Sequence, residues 1–156
     1  MEELRGGADV VLKKIMRQAA AERASDVHIE PGASFVRVRF RKDGLLSDRF
    51  CLSSSMAPNL SVRVKVLGRL DVGESRLPQD GSWAEEIDGV PYDFRISVLP
   101  SMYGETIVIR ILSGRVNFIE KNELGMRREQ ESLFRRALAK GQGLILTTGP
   151  TGSGKT

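Results

Sequence analysis

The chain has 156 residues, of which 40% are hydrophobic, enough for a globular core and too many for a disordered segment. Its 24 lysines and arginines and 20 acidic residues give a net charge of +4, too mild by itself to indicate a nucleic-acid partner. No apolar run approaches the roughly 20 residues of a membrane helix, and the polar N-terminus is not a signal peptide. The single cysteine, Cys51, excludes an internal disulfide and a CxxC zinc pair. We therefore expect a cytoplasmic protein of one domain, or of one domain and part of a second.

The first third of the chain predicts a helix followed by antiparallel strands. Apolar residues recur at helical spacing over 8–22. Over 35–41 they alternate instead with Arg37, Arg39 and Arg41, which predicts a strand with an apolar face and an arginine face. The Lys-Asp-Gly sequence at 42–44 is typical of a hairpin turn, so that 45–52 returns as the partner strand.

The middle of the chain is ambiguous at first and then predicts more strands. Residues 55–70 carry both a strand alternation and a helical face, and we favour the helix. Residues 71–81 predict a loop, followed by strands over 82–88 and 91–98 around a turn at Asp88-Gly89. A further strand is predicted over 105–112. In these last strands Arg95 and Arg110 fall on the polar faces.

The C-terminal part predicts the opening of a second domain. Residues 113–120 break the pattern and indicate a linker. A helix is predicted over 127–140, with Leu133, Phe134, Ala137 and Leu138 facing inward. The short apolar run at 143–148 is typical of a parallel strand buried on both faces. The fold class is therefore α+β, an antiparallel-sheet domain with flanking helices, followed by the start of an α/β domain.

The last eight residues match the Walker A pattern G-x-x-x-x-G-K-[ST]. In this motif glycines let backbone N–H groups approach phosphate oxygens. Lys155 supplies charge to the β- and γ-phosphates, and Thr156 supplies a hydroxyl to Mg²⁺. The predicted ATP-binding residues are Gly149, Pro150, Thr151, Gly152, Ser153, Gly154, Lys155 and Thr156.

Hydrolysis of ATP also needs an acidic Walker B group and a residue that orients water. Both would lie beyond Thr156, as would the helix that fixes the loop. We expect the chain to be a piece of a longer protein, because a polypeptide that stops within its own P-loop is improbable. The piece itself is expected to bind nucleotide weakly or not at all and to have no ATPase activity.

Several sequence words occur in the order and spacing of one family: ASDVHIEP, VRVRFRKDG, RLPQDG, DFRISVLPSMYGETIVIRIL, LGM and GLILTTGPTGSGKT. From about residue 8 to 156 the chain resembles the GspE/PilB-like ATPases of bacterial type II secretion and type IV pilus assembly. The resemblance implies a small nucleotide-closing α+β domain over 1–112 and a flexible linker over 113–120. Residues 121–156 would then begin a RecA-like P-loop ATPase domain that is truncated after Walker A.

The resemblance also implies a working context. Such ATPases use ATP and Mg²⁺ and work as hexameric rings at the cytoplasmic face of the inner membrane. They act on an inner-membrane platform protein without inserting into the membrane themselves. The resemblance does not separate secretion, pilus extension and DNA uptake.

Roles for single residues follow from the same resemblance. Arg95, in DFRIS, and Arg110, in VIRIL, correspond to catalytic arginine fingers that reach the phosphates, in addition to the catalytic Lys155. Arg76 contacts either the same region or a neighbouring subunit. The alternative is that these arginines lie on solvated faces or in weak surface ion pairs. We expect His28, the only histidine, to have a hydrogen-bonded structural role.

Two other functions compete with the enzyme. The first is a non-catalytic module that binds neighbouring subunits or the platform protein. The second is a nucleic-acid-binding domain, which the arginine-rich strand suggests. It is disfavoured because no aromatic residues interleave with Arg37, Arg39 and Arg41 to form a stacking platform.

Overall fold

The computed structural model describes residues 2–3, 6–113 and 125–149. The chain divides into two compact units, Met1–Arg115 and Val116–Thr156. The strands are β1 Glu2–Glu3, β2 Asp26–Pro31, β3 Phe35–Lys42, β4 Leu45–Ser53, β5 Gln79–Ile87, β6 Val90–Ser101 and β7 Gly104–Ser113. The helices are α1 Ala8–Ala21, α2 Met56–Gly68 and α3 Arg128–Leu138.

The first unit is built on one sheet with the strand order β1-β4-β3-β2-β7-β6-β5. The two-residue β1 pairs parallel with β4, and all other neighbours are antiparallel. Two three-stranded meanders, β2-β3-β4 and β5-β6-β7, therefore meet where β2 pairs with β7. The predicted antiparallel sheet with flanking helices is confirmed.

Tight turns join β3 to β4 and β5 to β6. Asp43 and Gly44 have φ angles of 51° and 81°, and Asp88 and Gly89 have φ angles of 50° and 78°. Positive φ at both central residues is typical of the type I′ turn, whose twist suits antiparallel strands. Both predicted hairpin turns are confirmed. Strands β5 and β6 are longer than predicted. Strand β5 begins at Gln79, which pairs with Val98, and β6 continues to Ser101, which pairs with Gly104 of β7.

Helices α1 and α2 cover one face of the sheet. The ambiguous stretch at 55–70 forms the helix we favoured, since Leu60 and Val64 are fully buried while Val62 and Val66 are about half exposed. Strand residues of the same face fill the rest of the core, namely Val27, Ile29, Val36, Val38, Phe40, Phe50, Leu52, Trp83, Ile87, Phe94, Ile96, Val98, Ile107 and Ile109.

The end of α2 approaches β5 closely at two glycines. A Cβ atom on Gly81 would lie 2.6 Å from the carbonyl oxygen of Gly68, and one on Gly68 would lie 2.5 Å from Cδ1 of Ile96. At Gly81 only glycine fits without a shift of the backbone, whereas at Gly68 a larger residue would have to displace the end of the Ile96 side chain. The expectation that 71–81 is entirely loop was therefore wrong at its end, because Gln79–Gly81 belongs to β5.

The second unit is described only over 125–149, where the predicted helix is present as α3. Its apolar residues do not face inward as predicted, since Leu133 is 60% and Leu138 53% exposed. The predicted strand at 143–148 is also wrong for the described structure, in which Gly143–Gly149 has no regular secondary structure. A parallel strand and an amphipathic helix need neighbours to bury them, and the described residues of this unit contain no partner strand.

The predicted domain boundaries stay predictions. Ser113 is the last residue of β7, and the rest of the predicted linker lies outside the described residues. Within the described part of the chain, no helix has both the length and the apolar character needed to cross a bilayer.

Candidate functional site

The sheet face opposite α1 and α2, which we call the open face, carries the polar residues of each strand. No helix or strand described in the first unit covers it. The alternation predicted for β3, β6 and β7 is confirmed, since Arg37, Arg95 and Arg110 are exposed while their apolar neighbours are buried.

One row of side chains crosses the open face through the strand register. Ser82 lies opposite Arg95, Arg95 opposite Arg110, Arg110 opposite Asp26, and Asp26 opposite Arg41. Like charges placed directly opposite one another destabilise a sheet. The repulsion between the facing Arg95 and Arg110 therefore lowers the stability of the sheet, and a bound anion would reduce this repulsion.

Arg110 is held at one point by a buried carboxylate. Its Nε donates a hydrogen bond of 3.1 Å to Oδ1 of Asp26, whose side chain is 9% exposed. The other carboxylate oxygen, Oδ2, accepts a bond of 2.8 Å from Ser25 Oγ and lies 3.5 Å from Arg41 Nε. Nη1 and Nη2 of Arg110 have no hydrogen-bond or ion-pair partner among the described residues.

Arg95 has neither a hydrogen bond nor an ion pair with any other described residue, and its side chain is exposed. Together with Arg110 it borders a shallow cavity of about 340 Å³. An acidic residue is present as well, because Asp80 lies at this cavity and accepts a hydrogen bond from Ser97 Oγ. The lining residues are Asp80, Gly81, Arg95, Ile96, Ser97, Val108 and Arg110.

This arrangement fits a phosphate group. Each guanidinium offers several planar N–H donors, which match phosphate oxygens, and neither arginine has its terminal nitrogens occupied by a described residue. Gly149 is the one Walker A residue that the structure describes, and Pro150, Thr151, Gly152, Ser153, Gly154, Lys155 and Thr156 lie outside the described residues.

Of the other arginines singled out in the sequence, Arg41 lies in the same row and shares Asp26 with Arg110, whereas Arg37, Arg39 and Arg76 lie apart from the pair. Arg76 lies in the loop between α2 and β5, where it pairs with Glu74 and its side chain is 87% exposed. Arg39 pairs with Glu30 of β2, and Arg37 lies 5.7 Å from the ring centroid of Phe35. Arg39 and Arg41 of β3 thus pair with acidic residues of β2, which the sequence pattern did not indicate.

His28 is half-buried between the arginines and the acidic residues of β2 and β3. Its Nδ1 lies 3.9 Å from Oε1 of Glu30. Burial lowers the pKa of His28 below its usual value, and the charge of Arg41 lowers this pKa further. The neutral form is thereby favoured. The His28 side chain forms no hydrogen bond with a described residue, so its hydrogen-bonded structural role stays a prediction.

A buried charged cluster, which was not predicted from the sequence, lies beneath the loop that carries Arg76. Lys65 of α2 is 1% exposed, and its Nζ lies 2.6 Å from Glu105 Oε1 and donates a bond of 2.6 Å to the carbonyl oxygen of Glu74. Ser61 donates to the other oxygen of Glu105. The signal was present in the helical spacing, since Ser61 and Lys65 lie one turn apart beside the buried Leu60 and Val64.

The chain matches the family model described as "Type II/IV secretion system protein" over residues 5–156. It is 44% identical, over 94% of its length, to a protein transport protein HofB homolog of Escherichia coli K12, of which it covers 32%. It is 39% identical over 94% of its length to the type II secretion system ATPase E of Vibrio cholerae. It is 40% identical over 99% of its length to the type IV pilus assembly ATPase PilB of Acinetobacter baylyi. The chain covers 29% and 27% of these two relatives, and so spans about a third of the proteins it matches.

Among solved structures, the X-ray structure of the Legionella pneumophila ATPase DotB has a TM-score of 0.50 at 16% identity. The match covers 72% of this chain and 31% of that one. At this identity the similarity concerns the fold alone.

Proposed function

Because the chain belongs to the type II/IV secretion system protein family, whose similar members are secretion and pilus-assembly ATPases, we propose that it is part of such an ATPase. The parent enzyme hydrolyses ATP to power type II secretion or type IV pilus assembly. The observation that carries the proposal is the facing pair Arg95 and Arg110, whose terminal nitrogens have no described partner on the open face.

In the assembled enzyme the Walker A residues 149–156 hold the phosphates of ATP, with Lys155 on the β- and γ-phosphates and Thr156 on Mg²⁺. ATP would supply the phosphoryl group that is transferred, and Mg²⁺ would neutralise part of its negative charge. Arg95 and Arg110 bind phosphate oxygens and stabilise the negative charge that develops during transfer. Arginines in this role contribute on the order of 10³-fold or more to turnover.

The proposal extends to the setting of the enzyme. We place the parent in a hexameric ring at the cytoplasmic face of the inner membrane, acting on a platform protein of that membrane. Its relatives' names assign them to secretion and pilus machines, which supports a partner of this kind.

The test is steady-state phosphate release by the full-length parent. Arg95→Ala and Arg110→Ala should each lower turnover by about 10³-fold or more while the melting temperature changes little. Arg37→Ala is the matched control, because this arginine is exposed on the same face but lies away from the pair. Unchanged turnover in both finger variants would contradict the proposal.

The 156-residue chain should release no phosphate above the background of its Lys155→Ala variant, because Walker B and the water-positioning residue are missing from it. Turnover that depends on Lys155 would contradict this part of the proposal.

A second candidate function is a non-catalytic module that binds neighbouring subunits or the platform protein. It is favoured by the exposure of Arg76, whose side chain is 87% exposed in the loop between α2 and β5. Under this alternative, Arg76→Ala and Arg95→Ala would weaken assembly of the parent while the affinity for nucleotide stayed the same.

A further inference from the structure

We propose that Asp26 is a positioning residue that holds Arg110 through Nε and leaves Nη1 and Nη2 available to a phosphate oxygen. The inference rests on the proposed function, because it assigns the group that orients one of the two arginines. Asp26 is not among the residues that the sequence pattern indicated, and the secretion-family resemblance assigned it no role.

The strand register creates this contact. Asp26 is the first residue of β2 and lies opposite Arg110 of β7 on one side and opposite Arg41 of β3 on the other. Its side chain is 9% exposed, whereas that of Arg110 is 66% exposed. The hydrogen bond therefore joins a carboxylate fixed in the sheet to a side chain whose far end reaches solvent.

The two carboxylate oxygens have separate partners. Ser25 Oγ and Arg41 Nε are on Oδ2, and Arg110 Nε is on Oδ1. This division fixes the carboxylate from the side away from Arg110. Oδ1 is left to Arg110 and accepts a hydrogen bond from Nε, the guanidinium nitrogen nearest the backbone.

A guanidinium held at Nε still presents its outer edge, with the N–H groups of both terminal nitrogens, in a fixed plane. An arginine held in this way loses less conformational freedom when it binds an anion than an arginine that must first be ordered. Arg95, which lies opposite, has no such tether among the described residues and serves as the internal comparison.

The carboxylate also has an electrostatic effect that separates this role from simple structural support. It brings a negative charge close to the proposed anion, which weakens anion binding while it orients the arginine. Loss of a structural support would weaken binding. Loss of this carboxylate removes both the tether and the repulsion of the anion. At low salt we expect the repulsion to be the larger effect, so binding should strengthen and the anion should also contact Nε.

The experiment uses the 156-residue chain and inorganic triphosphate as the probe, followed by ¹⁵N NMR of the arginine side chains. In the wild-type chain, hydrogen exchange of the Arg110 Nε–H should be about threefold or more slower than that of Arg95, as expected for a partly exposed ion pair. Triphosphate should shift the signals of the terminal nitrogens of Arg110 and leave its Nε–H unperturbed.

In Asp26→Asn the slow exchange should be lost and triphosphate should perturb the Nε–H as well. The dissociation constant should fall about two- to threefold at low salt, because a nearby negative charge has been removed. Arg41→Gln is the second variant and keeps the native core. It should slow the Arg110 Nε–H exchange further, because Asp26 then has one cation instead of two.

The outcomes separate the two proposals. If triphosphate binds and Arg110→Gln weakens it, but Asp26→Asn changes neither exchange nor affinity, Asp26 has no positioning role and the proposed function stands. Wild-type Arg110 exchange as fast as that of Arg95, or unchanged in Arg41→Gln, would overturn the inference even if Asp26→Asn fails to fold. If triphosphate does not bind, or binds to both Arg95→Gln and Arg110→Gln as tightly as to the wild-type chain, the proposed anion site is wrong and the inference falls with it.

Discussion

The two faces of the same sheet use neighbouring residues for opposite purposes. On the face beneath α1 and α2, residues such as Phe94 and Ile109 are fully buried, whereas the next residues along these strands, Arg95 and Arg110, are exposed. Because successive side chains of a strand point to opposite faces, a residue that stabilises the core can be the direct neighbour of one that binds an anion. Substitutions on the covered face should change unfolding, and substitutions on the open face should change anion binding.

The largest expected effect is on the covered face. Phe94→Ala should lower the free energy of unfolding by about 3–5 kcal/mol, because the ring is fully buried between Trp83 and Tyr92. Urea unfolding measures this change. The matched control is Leu99→Ala on the same strand, where the side chain is 43% exposed and the change should stay within about 0.5 kcal/mol. Equal losses for the two variants would contradict the division between the faces.

A second prediction concerns the buried charge on the covered face. Lys65→Met should lower the free energy of unfolding by about 3 kcal/mol, because the nearly buried carboxylate of Glu105 then lacks its cation. The double variant Lys65→Met/Glu105→Gln should be more stable than this single variant. A double variant less stable than Lys65→Met would show that the pair is not the source of the loss.

On the open face, substitutions should change anion binding more than stability. Arg95→Gln should change the free energy of unfolding by no more than about 0.5 kcal/mol. It should weaken the binding of inorganic triphosphate about fivefold at low salt, with a smaller loss at high salt. Isothermal titration at two salt concentrations measures both effects, and Arg37→Gln is the control. A loss of stability without a loss of affinity would place Arg95 among the structural residues.

The smallest effect is expected from His28, which lies on the central strand β2 of the open face. Because burial lowers the pKa of His28 in the folded chain, the unfolded chain binds its proton more readily. Stability should therefore fall, by less than about 1 kcal/mol, as the pH decreases from 7.5 to 5.5 through the unfolded pKa. His28→Gln should flatten this part of the curve of melting temperature against pH. A wild-type melting temperature that rises over the same decrease in pH would contradict the sign.

Local pattern was sufficient to predict most of the first unit. Alternation placed Arg95 and Arg110 on polar faces, and the Asp-Gly pairs at 43–44 and 88–89 predicted the turns, because both features depend on residues close together in sequence. The contact between Asp26 and Arg110 spans 84 residues and depends on the pairing of β2 with β7. No periodicity within one strand carries that information.

The second unit shows the opposite case. The composition of 143–148 predicts a buried strand, yet Leu144 and Leu146 are 80% and 74% exposed. The apolar face of α3 is predicted to be buried, yet Leu133 is 60% exposed. Apolar segments predict burial only where other elements are present to cover them. The roles of Lys155 and Thr156, and of the two arginines, remain predictions.

The meeting of two meanders at β2 and β7 has a consequence for how the chain folds. Hairpins within each meander close short loops, whereas the β2–β7 pair closes the longest one, and long loops cost more entropy before their contacts form. We expect the meanders to gain structure early and their junction to form late. Substitutions at Ile29 or Ile107 would then mainly speed unfolding. Their kinetic φ-values, the fraction of the stability change that appears in the folding rate, would be below those of Val38 or Phe94. The contact that orients Arg110 would be among the last that folding completes.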